Sequence, residues 1–160
     1  EEVILANFAQ QGLTLATAES CTGGYIASML TSISGSSSVF MGSAVTYSNA
    51  AKVKILGLRE STLASVGAVS EETVREMAEG ARKCFETDYA ISTSGIAGPT
   101  GGTAEKPVGT VWIAIAGRKR TVAQKYQFKN DRKISIQRSA AAALALLWKI
   151  YKEEESADLK

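Results

Sequence analysis

The feature that most restricts the fold is a strand that passes into a helix through a turn of small residues. Residues 13–17 alternate large and small side chains, as a half-buried strand does, and residues 25–30 carry apolar side chains at helical spacing. The turn between them, residues 18–24, aims backbone N–H groups and the positive end of the helix dipole at whatever lies above it. Ser20 stands at the edge of that turn, where it could attack or bind a ligand. The alternative is that Ser20 or Thr22 only caps the helix.

Strand-like and helix-like segments alternate along the whole chain. The patterns predict helices over residues 3–11, 25–33, 50–56, 61–64, 71–85 and 132–153, and strands over 13–17, 39–47, 89–93, 110–116 and 122–128. This alternation predicts a three-layer α/β/α sandwich with a mostly parallel mixed sheet, in which the last two strands form a hairpin and supply at least one antiparallel strand. The polar tail, residues 154–160, is predicted to be frayed.

The composition is that of an ordinary globular protein. The chain has 160 residues, enough for one domain, of which 45% are hydrophobic and 21% charged. The net charge of +2 comes with no basic stripe interleaved with aromatic residues, so no nucleic-acid partner is expected. No apolar run approaches the roughly 18 residues that span a bilayer, and the opening Glu1-Glu2 lacks the features of an export signal. We therefore expect a single domain over residues 1–160 without a membrane partner.

The chain contains no histidine, and this absence restricts its chemistry. Catalysis by Ser-His-Asp or Cys-His groups is excluded, and the commonest metal ligand is missing. Because Cys21 and Cys84 are far apart in sequence, neither a zinc site nor another cofactor is expected. Cys84 falls on the apolar stripe of a helix and is predicted to be buried in the core. A serine nucleophile here needs another base, and lysine is the usual substitute when burial or nearby positive charge lowers its pKa.

A second motif, TYSNAAK over residues 46–52, supplies a candidate for that base. Tyr47 closes a strand, and Lys52 falls in the first turns of the next helix. The positive end of that helix disfavours a charged ammonium and so lowers the pKa of the lysine. The alternative is a solvated lysine on an amphipathic helix, a description that fits Lys54, which faces a different direction.

A third motif is the long glycine-rich stretch that follows the strand over residues 89–93. Residues 92–109 run without periodicity for longer than most connections, which favours a functional loop. Ser94 lies at the carboxyl end of that strand, where open α/β sheets bind ligands, and glycines such as Gly95 allow a ligand to approach the backbone closely. The stretch lacks the Lys-Ser/Thr pair of a phosphate-binding P-loop. The alternative is a long turn packed on the protein itself.

Together these motifs resemble the CinA C-terminal domain family, whose characterised members are nicotinamide-nucleotide amidases. The similar segments are AESCTGG (18–24), TYSN with the lysine that follows it (46–52), GAVS (67–70), SGIAGP with GG (94–102) and KPVGT (106–110). They occur in the family's order and span about residues 3–151. The resemblance implies a bacterial cytoplasmic enzyme that converts nicotinamide mononucleotide to nicotinate mononucleotide and ammonia. The implied partner is this small nucleotide, and a homo-oligomer is also considered.

The resemblance also implies roles for individual residues. It implies a serine nucleophile at Ser20, a lysine base at Lys52 and an assisting tyrosine at Tyr47. Ser94 stands where the family usually has threonine, which keeps the hydroxyl but loses the stiff branched rotamer.

An arginine near the start of the last helix binds the substrate phosphate in the family. The usual Gly-Asp-Arg reads Asn130-Asp131-Arg132 here, so Arg132 or Arg138 is expected in that role. Many relatives carry this domain behind a larger N-terminal domain. The sequence leaves open whether this chain is a stand-alone enzyme or a fragment.

The chemistry of these residues agrees with what the resemblance implies. An amide carbonyl needs a nucleophile, a base and donors to the developing oxyanion. Backbone N–H groups of Thr22, Gly23 and Gly24 are the candidate donors, and Tyr47 and Ser94 could relay protons or hold the lysine. Two other interpretations stay open. One is a non-catalytic nucleotide-binding or regulatory module that uses the same loops, and the other is a thiol enzyme built on the cysteine next to the serine.

Overall fold

The computed structural model describes residues 1–129 and 131–158, with the side chain of Asp158 left out. Its helices are α1 (Glu2–Gln11), α2 (Tyr25–Thr31), α3 (Asn49–Leu56), α4 (Glu60–Val66), α5 (Glu71–Cys84) and α6 (Arg132–Asp158). Its strands are β1 (Leu15–Glu19), β2 (Phe40–Val45), β3 (Tyr89–Gly95), β4 (Thr110–Ala116) and β5 (Thr121–Gln127), and a short 3₁₀ turn covers Ser36–Ser38.

The strands form a mixed sheet in the order β2-β1-β3-β4-β5. β1 is parallel to both of its neighbours, β2 and β3, whereas β4 is antiparallel to β3 and to β5. Four of the five strands in the described part of the chain therefore run in one direction, and β4 is reversed. This confirms the predicted α/β fold with its antiparallel hairpin.

Helices cover both faces of the sheet, which gives the three predicted layers. α1, α2 and α6 pack on one face against large side chains such as Leu15, Ile91 and Ile113. α3 and α5 pack on the other face, where the strands present small side chains: Ala16, Ala18, Ala44, Ala90, Ala114 and Ala116. Because successive residues of a strand point to opposite faces, a single strand such as β1 contributes to both cores.

Several predicted helix boundaries are confirmed by their caps. Ser48 Oγ accepts a hydrogen bond from the amide of Ala51 at 3.1 Å, and Ser70 Oγ accepts one from Thr73 at 3.2 Å. Each bond satisfies one of the amides that the first turn of a helix leaves without a partner. These caps fix the starts of α3 and α5, and the start of α3 positions the candidate base.

Most element boundaries differ from the prediction by one or two residues, and the differences at β1 and α6 have structural consequences. β1 continues to Glu19, so the start of the presumed turn belongs to the sheet. α6 continues to Asp158, and the prediction that the chain frays from residue 154 is wrong for the described residues. The reason is that Glu154 is only 5% exposed, because its carboxylate accepts hydrogen bonds from Tyr89 Oη at 2.8 Å and from the amide of Arg118 at 3.2 Å. Residues 159 and 160 of the predicted tail lie outside the described residues.

The prediction that Cys84 is buried is wrong. Cys84 is the last residue of α5, and its side chain is exposed in a surface groove between α3 and α5. Val74, Met77, Ala78 and Ala81 are buried and Phe85 packs against the same core, so Cys84 lies beside the apolar stripe rather than on it. In the described part of the chain, no helix combines the length and the apolar character needed to cross a membrane.

Candidate active site

The structure brings Ser20 and Lys52 together. Ser20 directly follows β1, and its amide donates to the carbonyl of Thr93 at 3.0 Å, which fixes its backbone beside β3. Lys52 lies on α3, 32 residues further along the chain, and its Nζ donates to Ser20 Oγ at 3.0 Å. The two side chains come from different elements that meet at the carboxyl edge of the sheet, where open α/β folds bind ligands.

Burial controls the protonation of Lys52. The residue is only 1% exposed. Its amine donates to the carbonyl of Thr46 at 2.8 Å and to that of Tyr47 at 3.4 Å, so its described partners are carbonyls and a hydroxyl rather than a carboxylate. Removal from water without a compensating negative charge lowers the pKa of Lys52 below its ordinary value of 10.5. A neutral amine has a lone pair that can take the proton of the Ser20 hydroxyl across the existing contact.

The positive end of α2 is occupied by the protein's own carboxylate. Glu19 is fully buried, and its two oxygens accept hydrogen bonds from the amides of Gly24 at 3.0 Å, Ile26 at 3.1 Å and Ala27 at 2.8 Å. The Thr22 hydroxyl donates to the same carboxylate at 2.7 Å. The expectation that this helix start faces a ligand is therefore wrong. Glu19 caps the helix instead, a role that the sequence analysis considered only for Ser20 and Thr22.

Replacing Glu19 with glutamine should destabilise the protein strongly. The amide nitrogen of glutamine would face backbone N–H donors that now share two carboxylate oxygens, so at least one buried donor would lose its acceptor. We expect the free energy of unfolding to fall by about 2–4 kcal/mol. Denaturant unfolding measures this, with Glu72→Gln as the matched control, because Glu72 is an exposed acid in the first turn of α5. A loss for Glu19→Gln no larger than that for Glu72→Gln would contradict the assigned role.

The amides that remain available near Ser20 are not those of the glycines. The Gly23 amide donates to the carbonyl of Ser20 at 3.1 Å, and the Gly24 amide is bound to the carboxylate described above. Within the described residues, the amide of Thr22 has no hydrogen-bond acceptor, and that of Cys21 has none beyond its own side chain. The candidate oxyanion donors therefore shift to Cys21 and Thr22. Gly24, with φ of 94°, serves the turn by adopting a left-handed conformation that other residues rarely tolerate.

The Cys21 thiol is unsuited to nucleophilic chemistry. Cys21 is 7% exposed, and burial raises the pKa of its thiol to about 12. The nucleophilic form of a cysteine is the thiolate, which is scarce near neutral pH at such a pKa. This disfavours the interpretation of the chain as a thiol enzyme.

A cleft of about 690 Å³ opens beside the turn. It is lined by residues 21–25, Ser28 and Tyr47 and, from the start of α6, by Arg132, Lys133, Ile136 and Gln137. Tyr47 is 61% exposed, so its side chain contributes little to the burial of Lys52. Its hydroxyl accepts a hydrogen bond from Arg132 at 2.9 Å, and Arg132 also donates to the carbonyl of Gly98 at 2.9 Å. Tyr47 thus contacts the candidate base through its carbonyl and a cleft arginine through its hydroxyl.

The two candidate phosphate-binding arginines differ in position. Arg132 lies in the cleft, whereas Arg138 is exposed and is not among the described residues that line it. Asn130, where the family motif differs, lies outside the described residues. The sequence analysis missed Lys133 and Gln137, which also line the cleft, because they follow an arginine on a helix whose orientation the pattern did not give.

Ser94 and the glycine-rich loop mainly contact the protein itself. Ser94 Oγ donates to the carbonyl of Ala68 at 2.8 Å, so in this structure it holds neither Lys52 nor Ser20. A Cβ added at Gly95 would lie 2.7 Å from the carbonyl oxygen of Thr110, which means that this glycine permits strand packing rather than ligand approach. The loop reaches the cleft through the Gly98 carbonyl, which binds the cleft arginine.

Among the residues the structure describes, no cluster of His, Cys, Asp or Glu side chains could hold a metal ion.

Comparison with known proteins gives consistent results. The family model of the CinA C-terminal domain matches residues 1–151. A CinA-like protein of Desulforapulum autotrophicum is 55% identical over 88% of this chain, and the match covers 33% of that relative. The nicotinamide-nucleotide amidohydrolase PncC of Escherichia coli K12 is 52% identical over 86% of this chain and 84% of its own length. The chain thus spans about a third of some curated relatives and most of others.

The fold is shared with solved structures. The competence/damage inducible protein CihA of Agrobacterium tumefaciens superposes with a TM-score of 0.92 at 40% identity, covering 94% of this chain and 92% of that one. A CinA superfamily protein of Escherichia coli superposes with a TM-score of 0.89 at 33% identity, covering 92% of this chain and 86% of that one.

Proposed function

The chain belongs to the CinA C-terminal domain family, and we propose that it hydrolyses the carboxamide of nicotinamide mononucleotide to nicotinate mononucleotide and ammonia. The observation that carries the proposal is the buried contact of 3.0 Å between Lys52 Nζ and Ser20 Oγ beside a cleft that contains Arg132. The 52% identity to a relative named as a nicotinamide-nucleotide amidohydrolase, over 84% of its length, supports the choice of substrate.

The first half of the reaction forms an ester with Ser20. Ser20 Oγ attacks the carbonyl carbon of the carboxamide while neutral Lys52 takes the hydroxyl proton. The amide oxygen becomes an oxyanion, for which the amides of Cys21 and Thr22 are the available donors. Lys52 then returns its proton to the amide nitrogen, the C–N bond breaks, and ammonia leaves.

The second half of the reaction releases the acid. A water molecule attacks the ester carbonyl while Lys52, neutral again, takes a proton from it. The second tetrahedral intermediate collapses, and the bond to Ser20 Oγ breaks. Lys52 gives its proton to that oxygen, which regenerates the hydroxyl and leaves the product acid, and the acid then ionises to the carboxylate by releasing its remaining proton to water. One base thus serves both halves, so a chain without histidine can complete the cycle.

Arg132 is proposed to hold the phosphate of the substrate. It is the arginine that lines the cleft, and a guanidinium can bind two phosphate oxygens at once. Tyr47 keeps this arginine in place in the free protein, which reduces the side-chain freedom lost on binding. Lys133 adds positive charge on the same side of the cleft.

The mutation Arg132→Ala should weaken substrate binding without changing the chemical step. A phosphate contact is equally strong in the ground state and in the transition state, so we expect KM to rise by about 10- to 100-fold with kcat within about threefold. Steady-state ammonia release at varied substrate concentration measures both constants. Arg138→Ala is the matched control and should change KM less than twofold. If KM rose for Arg138→Ala and not for Arg132→Ala, the phosphate would be bound by Arg138 and the assignment of Arg132 would be wrong.

Direct assay separates this proposal from a non-catalytic nucleotide-binding module. A binding module would use the cleft but would gain nothing from an amine buried against a hydroxyl, since burying an uncompensated amine costs stability. Ammonia release should be readily detected with nicotinamide mononucleotide and should be far slower with glutamine and simple amides. Tight binding of the nucleotide without any ammonia release would favour the module. The cytoplasmic setting, the single-domain organisation and any homo-oligomer stay predictions.

A further inference from the structure

Two tyrosine rings line the cleft, and the proposed steps use neither ring. Tyr25 is the first residue of α2 and is 36% exposed, and Tyr47 is 61% exposed. Both belong to the lining of the same cleft but come from different segments, one after β1 and the other after β2. Exposed aromatic rings in a ligand cleft provide flat apolar faces that carry partial negative charge.

The charges around the cleft leave a cationic ring without an acidic partner. In a nicotinamide nucleotide, the pyridine nitrogen bonds to the ribose and the ring carries a positive charge. None of the described lining residues is Asp or Glu, and the charged ones, Arg132 and Lys133, are cations. Glu19 is buried and bound to the start of α2, and Asp131 caps α6 by accepting from the amide of Ile134 at 2.9 Å. The faces of the Tyr25 and Tyr47 rings are therefore the groups lining this cleft that can attract a positively charged ring.

Tyr47 contacts both ends of the proposed substrate site. Its carbonyl accepts from Lys52 Nζ at 3.4 Å, and its hydroxyl accepts from Arg132 at 2.9 Å. Tyr47 thus contacts the group proposed to act on the amide through its backbone and the group proposed to bind the phosphate through its side chain. A nucleotide held by both groups would lie close to Tyr47, and Tyr25 lines the same cleft.

We propose that Tyr25 and Tyr47 recognise the positive charge of the pyridinium ring through cation–π contacts. The cleft then selects a cationic nicotinamide nucleotide over a neutral aromatic amide of the same shape. This inference rests on the proposed function, because it concerns the ring of that substrate.

The test compares two ligands that differ only in ring charge. One is nicotinamide mononucleotide, and the other is its isostere with carbon in place of the ring nitrogen. Calorimetry on Ser20→Ala, which should bind without turnover, gives a Kd for each. We expect the cationic ligand to bind roughly threefold to thirtyfold more tightly. In the same background, Tyr25→Leu should reduce this preference, because only one of the two rings remains, and Tyr25→Phe should keep it because both rings remain.

The outcomes separate this inference from the function on which it rests. Equal dissociation constants for the two ligands in Ser20→Ala would overturn ring recognition, and an unchanged preference in Tyr25→Leu would overturn the part assigned to Tyr25. Either result would leave the amidase proposal standing. Failure of a folded protein to bind either ligand would contradict the amidase proposal and this inference together. Tyr47 is left unchanged in the test because its hydroxyl also holds Arg132.

Discussion

Ser20→Ala is expected to abolish amide hydrolysis, lowering kcat at least about 10⁴-fold. The serine oxygen forms the bond that replaces the C–N bond, and alanine offers no atom for this step. The fold should survive, because Lys52 Nζ keeps its hydrogen bond of 2.8 Å to the carbonyl of Thr46. Ammonia release under saturating substrate measures the loss, and calorimetry should show that the nucleotide still binds.

The neighbouring residue provides the control for this experiment. Cys21→Ser keeps the backbone amide proposed as an oxyanion donor and removes only the thiol, so activity should stay within about tenfold of the native protein. If Ser20→Ala retained substantial activity while Cys21→Ser lost it, the nucleophile would be the thiol, and the assignment of Ser20 would be wrong. Loss of activity in both variants with normal binding would indicate that the geometry of the turn matters more than either side chain.

The parts of the site that could be predicted come from chemistry and from the family resemblance together. The absence of histidine favoured lysine as the base for a serine, the helix start made Lys52 a candidate, and the resemblance implied its pairing with Ser20. The structure gives their contact at 3.0 Å. The layer architecture was also predictable, because periodicity and the order of strands and helices determine which faces must be covered.

The parts that the sequence did not predict depend on whether a polar group or a glycine contacts a ligand or another part of the protein itself. Glycines at residues 95–102 permit close approach, but the pattern does not say whether the approaching group is a ligand or the protein's own backbone. Gly95 faces the carbonyl of Thr110, and the hydroxyl of Ser94 binds the carbonyl of Ala68. Glu19 was missed for the same reason. A carboxylate just before a helix is a usable capping signal, yet only the geometry shows that it fills the anion site of α2 itself.

Lys52→Arg should be almost inactive, with kcat reduced at least about 10³-fold, even though it keeps a positive charge. A guanidinium does not release its proton in the working range of pH, so it cannot accept the proton of Ser20. Lys54→Arg is the matched control, because Lys54 is an exposed residue of the same helix, and its activity should be close to native. Normal turnover by Lys52→Arg would show that the reaction needs only a positive charge at this position and not a base, which would contradict the serine–lysine mechanism.

The pH dependence of activity and of stability should report the same ionisation of Lys52. Because burial lowers its pKa below 10.5, kcat/KM of the native protein should rise with pH through a step below that value. Between the lowered pKa and 10.5 the unfolded chain binds a proton that the folded protein does not, so folding stability rises with pH across this interval. The native protein should gain up to about 1.4 kcal/mol per pH unit relative to Lys52→Met there. Equal pH slopes in denaturant unfolding of the two proteins would mean that Lys52 stays charged in the folded state, and a charged amine cannot serve as the base.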